Sequence, residues 1–251
     1  MQDSHSSDHA LAGRRALVTG GSRRLGRGMV LALATAGVDV VVHHRSDPER
    51  ADATAADASA AGVKSLVLQA DLRDADACGE LVEKASDALG GLDILVNNAA
   101  IFERTPLETL EPAHFDRHMQ VNAASVHATS LAAGRRMVES GGGDIVNIAC
   151  VSAFRPYAGY VPYSASKAAV MNLTQGFAKL LAPHVRVNAI APGPILPPAG
   201  EDPAQGEAAV ETTLLKRWGH PDDIAAALLF FLRAPYVTGY TLAVDGGRSI
   251  R

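Results

Sequence analysis

The chain has 251 residues, 47% of them hydrophobic and 20% charged, and a net charge of −4 at neutral pH. That size and composition suit one α/β domain with a full core, and the acidic balance excludes the basic footprint of a nucleic-acid binder. Cys78 and Cys150 have neither zinc-site nor Cys-x-x-Cys spacing, so a reducing cytoplasmic setting is expected, with no metal site.

Residues 1–11 are polar and read as a flexible tail, with the structured domain over 12–251. ALVTG (16–20) reads as the first strand, followed by a helix over Leu25–Ala36 that Gly37 ends. VDVVVHH (38–44) is the second strand, an Ala-rich helix runs on to Gly62, and SLVLQAD (65–71) is the third strand. Leu81, Val82, Ala85, Ala88 and Leu89 recur at helical spacing within 75–89. LDILVNNA (92–99) and GDIVNIACVS (143–152) are the next strands, with a long helix over His114–Glu139 between them. A helix over Tyr163–Leu181, a strand at 185–193, the apolar helix AAALLFFL and a strand at 241–247 complete the chain.

Nearly uniform apolar strands alternating with amphipathic helices predict a Rossmann-type, doubly wound parallel seven-stranded sheet with helices on both faces. The apolar stretches are too short or too interrupted for a membrane span. The Pro/Gly-rich segment 194–213, opened by Pro194, is read as a substrate loop.

TGGSRRLG (19–26) joins the first strand to the first helix. There Gly20, Ser22, Arg23, Arg24, Leu25 and Gly26 are placed to cradle a pyrophosphate at a helix N-terminus. The second strand ends in His44, Arg45 and Ser46 where an NAD enzyme usually carries an acid, which favours the 2′-phosphate of NADPH over NADH. Asp71 and Leu72 are candidates to touch adenine, with an N-cap as the other reading of Asp71.

YSASK (163–167) puts Tyr163 and Lys167 on one face of a helix. A phenol titrates near 10, and a neighbouring ammonium is expected to lower that value so that Tyr163 can exchange a proton while NADPH supplies hydride.

With TGGSRRLG, NNAA (97–100), Asn122 in MQVNAAS, YSASK, RVNAIAPGP (186–194) and VTGYTLAVDGG (237–247), the chain resembles a short-chain dehydrogenase/reductase over nearly its whole length. The resemblance implies that Asn98, Ala99 and Ala100 line the cofactor, and that Pro192 and Gly193 flank the nicotinamide. It further implies that Asn122 holds a relay water with Lys167, and that the protein is a homotetramer acting on a small molecule.

Two positions depart from that family's pattern. Its usual serine, thirteen residues before the tyrosine, is here Cys150, a weaker donor, and Ser152 is a possible substitute if the strand continues. Arg24 stands where most relatives have glycine. HHRS (43–46), RPYAGY (155–160), the PILPP loop and VDGGRSI resemble the pteridine reductase branch, which also lacks the serine but commonly has a carboxylate there. In that branch Phe102 would stack the pterin, Arg24 would reach the cofactor phosphates and the pterin edge, and Tyr160 would line the pocket. The function implied is reduction of a dihydropterin- or dihydrofolate-like ring. The alternatives are a 3-oxoacyl or general carbonyl reductase and a non-catalytic NADP-binding sensor.

Overall fold

The computed structural model describes residues 11–197 and 208–251. Its strands are β1 (Arg15–Val18), β2 (Asp39–His44), β3 (Ser65–Gln69), β4 (Ile94–Asn97), β5 (Gly143–Ile148), β6 (Val185–Pro192) and β7 (Thr241–Val244). They form one sheet in the order β3-β2-β1-β4-β5-β6-β7, and every pairing is parallel. The winding reverses between β1 and β4, so their carboxyl ends open the crevice where such sheets take ligands.

The helices are α1 (Arg24–Thr35), α2 (Pro48–Ala60), α3 (Ala75–Leu89), α4 (Pro112–Met119), α5 (Ser125–Glu139), α6 (Val161–Leu181) and α7 (Pro221–Arg233). Successive strand residues point to opposite faces, so Val18 and Val40 join one core while Leu17 and Val41 join the other. The first core is closed by Met29 and Leu33 of α1, Ala51 of α2 and Phe231 of α7. The second is closed by Leu81 of α3, Met137 of α5 and Phe177 of α6. Burial on both faces explains why these strands read as continuous apolar runs. No described helix is long and apolar enough to cross a membrane.

The structure corrects several boundaries. Leu11 is not tail: it is buried in the first core, and its carbonyl accepts the Arg14 amide at 3.0 Å. Residues 1–10, and 198–207 of the expected substrate loop, lie outside the described residues. β1 stops at Val18, because Thr19 and Gly20 already turn toward α1. β5 stops at Ile148, and Val151–Ala153 form a tight 3₁₀ turn instead of continuing the strand. The long helix expected from His114 begins at Pro112 and is widened over Gln120–Ala124, where the Ser125 amide bonds the Gln120 carbonyl. Single-turn bulges of this kind cluster at functional sites, and this one carries Asn122.

Candidate active site

The turn after β1 has no room for side chains. Gly20 has φ +62, and a Cβ on Gly26 would lie 2.1 Å from the Gly20 carbonyl oxygen and 2.7 Å from Asn98 Nδ2. Asn98 Nδ2 donates to the carbonyls of Thr19 and Gly20, both at 2.9 Å. The Thr19 hydroxyl accepts the amides of Asn98 at 2.9 Å and Ala99 at 3.1 Å. The ends of β1 and β4 are thereby locked together across the switch point. Ser22 is buried, and its carbonyl accepts the Thr54 hydroxyl at 3.1 Å. Leu25 packs against the first core.

His43 completes this turn, and nothing in the sequence singled it out. Its Nδ1 accepts the Gly20 amide at 3.0 Å and its Nε2 lies 3.2 Å from the Ala70 carbonyl, which makes Nε2 the protonated nitrogen of a neutral ring. Burial pushes its pKa down to about 4.

His44 does not face a phosphate, contrary to the sequence expectation: its ring is buried and its Nδ1 accepts the Asp47 amide at 3.2 Å. Arg23, Arg45 and Ser46 are exposed, and neither arginine has a salt-bridge partner among the described residues. Asp71 is not an N-cap. Asp74 caps α3, while both Asp71 oxygens are held by the Arg73 guanidinium, which drives the carboxyl down to about 2. Leu72 beside it is buried. On the other flank a Cβ on Gly193 would lie 2.6 Å from Asp245 Cα, so Pro192 and Gly193 sit flush against the end of β7. A side-chain-free cradle at a helix N-terminus, beside two unpaired arginines, fits a dinucleotide with an extra phosphate.

Tyr163 and Lys167 lie in the first turns of α6, and both are buried. Lys167 Nζ donates to the Ile148 carbonyl at 2.7 Å and sits 5.9 Å from the Tyr163 ring centre. Burial lowers its pKa to about 8. The expected ammonium effect on the phenol is overturned. Burial pushes Tyr163 well above its ordinary value, and its hydrogen bond to Cys150 adds to the rise. The Cys150 sulfur also accepts the Ser152 amide at 3.4 Å. Ser152 does not stand in for the missing serine: it is fully buried, and its hydroxyl has no partner among the described residues.

The Asn122 side chain is a brace. Its Oδ1 accepts the Ile101 amide at 2.8 Å, while Nδ2 donates to the Ile101 carbonyl and the Ser166 hydroxyl, both at 3.0 Å. The Ser166 hydroxyl donates to the Tyr163 carbonyl at 2.7 Å, which ties the widened helix to the first turn of α6.

An aromatic wall rises beside the phenol. Phe102 stacks on Tyr160 with ring centres 4.4 Å apart and planes 5° apart, and meets Tyr163 edge-on at 4.7 Å. Phe102 is 46% exposed, so this aromatic pair beside Tyr163 is open to solvent in part. Tyr157 meets Tyr160 edge-on at 6.3 Å and carries the Arg248 guanidinium 4.5 Å over its ring. Arg24, expected at the cofactor phosphates and pterin edge, instead donates to the carbonyls of Leu196 at 3.3 Å and Pro197 at 3.1 Å. Pro194 is buried, and its carbonyl accepts the Gly219 amide at 2.9 Å.

Sequence reasoning missed His43, Thr19, Ser166, Tyr157 and Arg248. Each lies within a motif quoted above (Thr19 in TGGSRRLG, His43 in HHRS, Tyr157 in RPYAGY, Ser166 in YSASK, Arg248 in VDGGRSI), but the motifs alone assign these positions no contact.

Comparison with known proteins agrees with this arrangement. Residues 20–249 match the family model described as enoyl-(acyl carrier protein) reductase. The chain is 35% identical to a 3-oxoacyl-[acyl-carrier-protein] reductase of Synechocystis sp., over 95% of this chain and 98% of that protein. It is 36% identical to a 2-dehydro-3-deoxy-D-gluconate 5-dehydrogenase of Escherichia coli, over 96% and 97% respectively. The crystal structure of FolM alternative dihydrofolate reductase 1 from Brucella canis, complexed with NADP, superposes with a TM-score of 0.90 at 33% identity. That match covers 98% of this chain and 97% of the other. A Gly-rich turn at the switch point, a Tyr163/Lys167 pair on one helix and these matches along nearly the whole chain lead to one assignment: the protein is an oxidoreductase of the short-chain dehydrogenase/reductase family.

Proposed function

We propose that the protein is an NADPH-dependent reductase of a flat, conjugated ring of the dihydropterin or dihydrofolate kind. The observation that carries this reading is the Phe102–Tyr160 stack, in which a half-exposed Phe102 ring meets Tyr163 edge-on. A planar heterocycle gains most from such a surface through offset stacking.

The turn amides around Gly20–Gly26 would hold the pyrophosphate, Arg23, Arg45 and Ser46 the 2′-phosphate, and Asp71 and Leu72 the adenine. Asn98, Ala99, Ala100, Pro192 and Gly193 would bound the nicotinamide end. Bound NADPH supplies the hydride. Tyr163, kept neutral by burial, holds the proton that the substrate nitrogen or oxygen receives. Lys167, fixed on the Ile148 carbonyl, would hold the cofactor's ribose, and Asn122 keeps the first turn of α6 in register. Arg24 shapes the pocket by gripping the start of the substrate loop.

A second reading, reduction of a 3-oxoacyl thioester, is favoured by the 35% identity to the Synechocystis reductase. NADPH consumption by the purified protein, with dihydrobiopterin, dihydrofolate and an acetoacetyl thioester side by side, separates the two. Turnover of the pterins supports the stacking pocket. Turnover of the thioester alone reduces Phe102 to loop packing. A homotetramer is expected as well, with half-exposed Phe230 of α7 and Tyr240 before β7 as candidate interface residues, and light scattering gives the mass.

A further inference from the structure

The wall of rings that starts at Tyr163 does not end at the substrate platform. Phe102, Tyr160 and Tyr157 follow one another at spacings of 4.7, 4.4 and 6.3 Å, and the last ring carries Arg248 at 4.5 Å. Tyr157 and Cys150 pack against the same small apolar cluster, and Tyr157 is near enough to add to the rise of the Tyr163 phenol.

Arg248 reaches this place from the C-terminal turn after β7. It is half-buried and has no carboxylate partner within salt-bridge distance among the described residues. Asp245, three residues earlier, accepts the amides of Gly247 at 2.9 Å and Ser249 at 2.7 Å and forms no salt bridge with the guanidinium. A guanidinium stacked on an aromatic face is held in position and partly stripped of water, while its edge keeps a fork of donors for an oxyanion. An unpaired, partly desolvated cation at the end of an apolar wall is an electrostatic vacancy that an anionic ligand fills.

We infer that Arg248, seated on Tyr157, is a specificity-determining residue for a carboxylate on the substrate at the end remote from the reacting atom. The ring or acyl chain would lie along Phe102 and Tyr160, and the carboxylate would meet the guanidinium fork. The inference rests on the reading that the reacting atom lies beside Tyr163, but it does not depend on whether that atom belongs to a pterin or a ketone.

The test uses full-length protein saturated with NADP⁺, so that no turnover intervenes. Titration calorimetry gives Kd for 4-formylbenzoate and for its methyl ester, which differ only in the charge. The wild type is expected to bind the acid about tenfold more tightly, the scale of one hydrogen bond to a charged group. Arg248→Gln should bring the acid-to-ester ratio close to one, and Arg248→Lys, which keeps charge but loses the fork, should fall between. Added salt should narrow the wild-type ratio, because the site is partly open to solvent. Equal affinity for acid and ester in the wild type, or a ratio unmoved by Arg248→Gln, overturns the subsite. Absence of any NADPH turnover with pterins or carbonyls would instead overturn the proposed reductase activity, and the calorimetric ratio would still stand or fall on its own.

Discussion

The Tyr163 and Cys150 side chains are hydrogen-bonded to each other, and the Cys150 sulfur also accepts the Ser152 amide at 3.4 Å. Cys150 thus spends its lone pairs on its own chain and offers a substrate only a weak S–H donor. Cys150→Ser places a stronger donor beside the phenol, where it can polarise a carbonyl oxygen. Steady-state assays should show kcat/KM for an acetoacetyl thioester rising by about tenfold or more, within the range that one positioned proton donor contributes. An unchanged value would mean that the hydroxyl is not what limits ketone reduction.

Gly26 is the position where a single methyl group should most directly weaken cofactor binding. Its Cβ would stand 2.1 Å from the Gly20 carbonyl, a distance that only backbone movement can relieve. Gly26→Ala is expected to weaken NADPH binding at least roughly tenfold, as read by cofactor fluorescence, because the misplaced turn loses donors to phosphate. Gly79→Ala is the contrasting substitution. Gly79 lies inside α3 with nothing within 4 Å of its missing Cβ, so alanine should stabilise the fold by about 1 kcal/mol in chemical denaturation.

The sheet was legible because burial on both faces leaves long apolar runs, and because the Gly-rich turn and the Tyr163/Lys167 pair depend on spacing within one segment. What stayed hidden depends on contacts between distant segments or on loop geometry without a period. The bond from His43 to Gly20 needs β2 beside β1, and the Arg73 grip on Asp71 needs a local loop geometry that no periodicity encodes. Ser152 looked available only while β5 was extended through it; the turn at Val151 buries it instead. Arg24 illustrates the same limit, since its type and position suggested a phosphate ligand while its partners, Leu196 and Pro197, lie more than 170 residues away.

Arg24 has φ +52, a conformation that a side chain makes unfavourable. It nevertheless holds the carbonyls of Leu196 and Pro197. Arg24→Gly removes both the strain and the grip, whereas Arg24→Ala removes only the grip. Arg24→Gly should therefore be the more stable of the two by about 1 kcal/mol, from the backbone preference alone. Both variants should raise KM for the substrate while leaving NADPH affinity nearly unchanged. A large loss of NADPH affinity in either would return Arg24 to the cofactor phosphates.

His43 gives the fold a defined weakness toward acid. The buried ring stays neutral down to about pH 4, whereas an exposed histidine in the unfolded chain takes up a proton near pH 6.5. Between those values the unfolded chain binds the extra proton, so stability is at its full value above pH 6.5 and declines as pH falls toward 4. The shift corresponds to about 3 kcal/mol at most. His43→Asn keeps an acceptor within reach of the Gly20 amide but has no group to titrate. Urea denaturation at intervals from pH 7 to 4.5 should show the wild type losing more stability than His43→Asn over that window, while the variant starts from a lower value at pH 7. NADPH affinity of the folded wild type should hold through most of that window and fall only as pH approaches 4, where a protonated Nδ1 no longer accepts the Gly20 amide and the turn that holds the phosphates loosens. Parallel losses in the two proteins would assign the acid sensitivity to other groups and leave His43 as a packing residue.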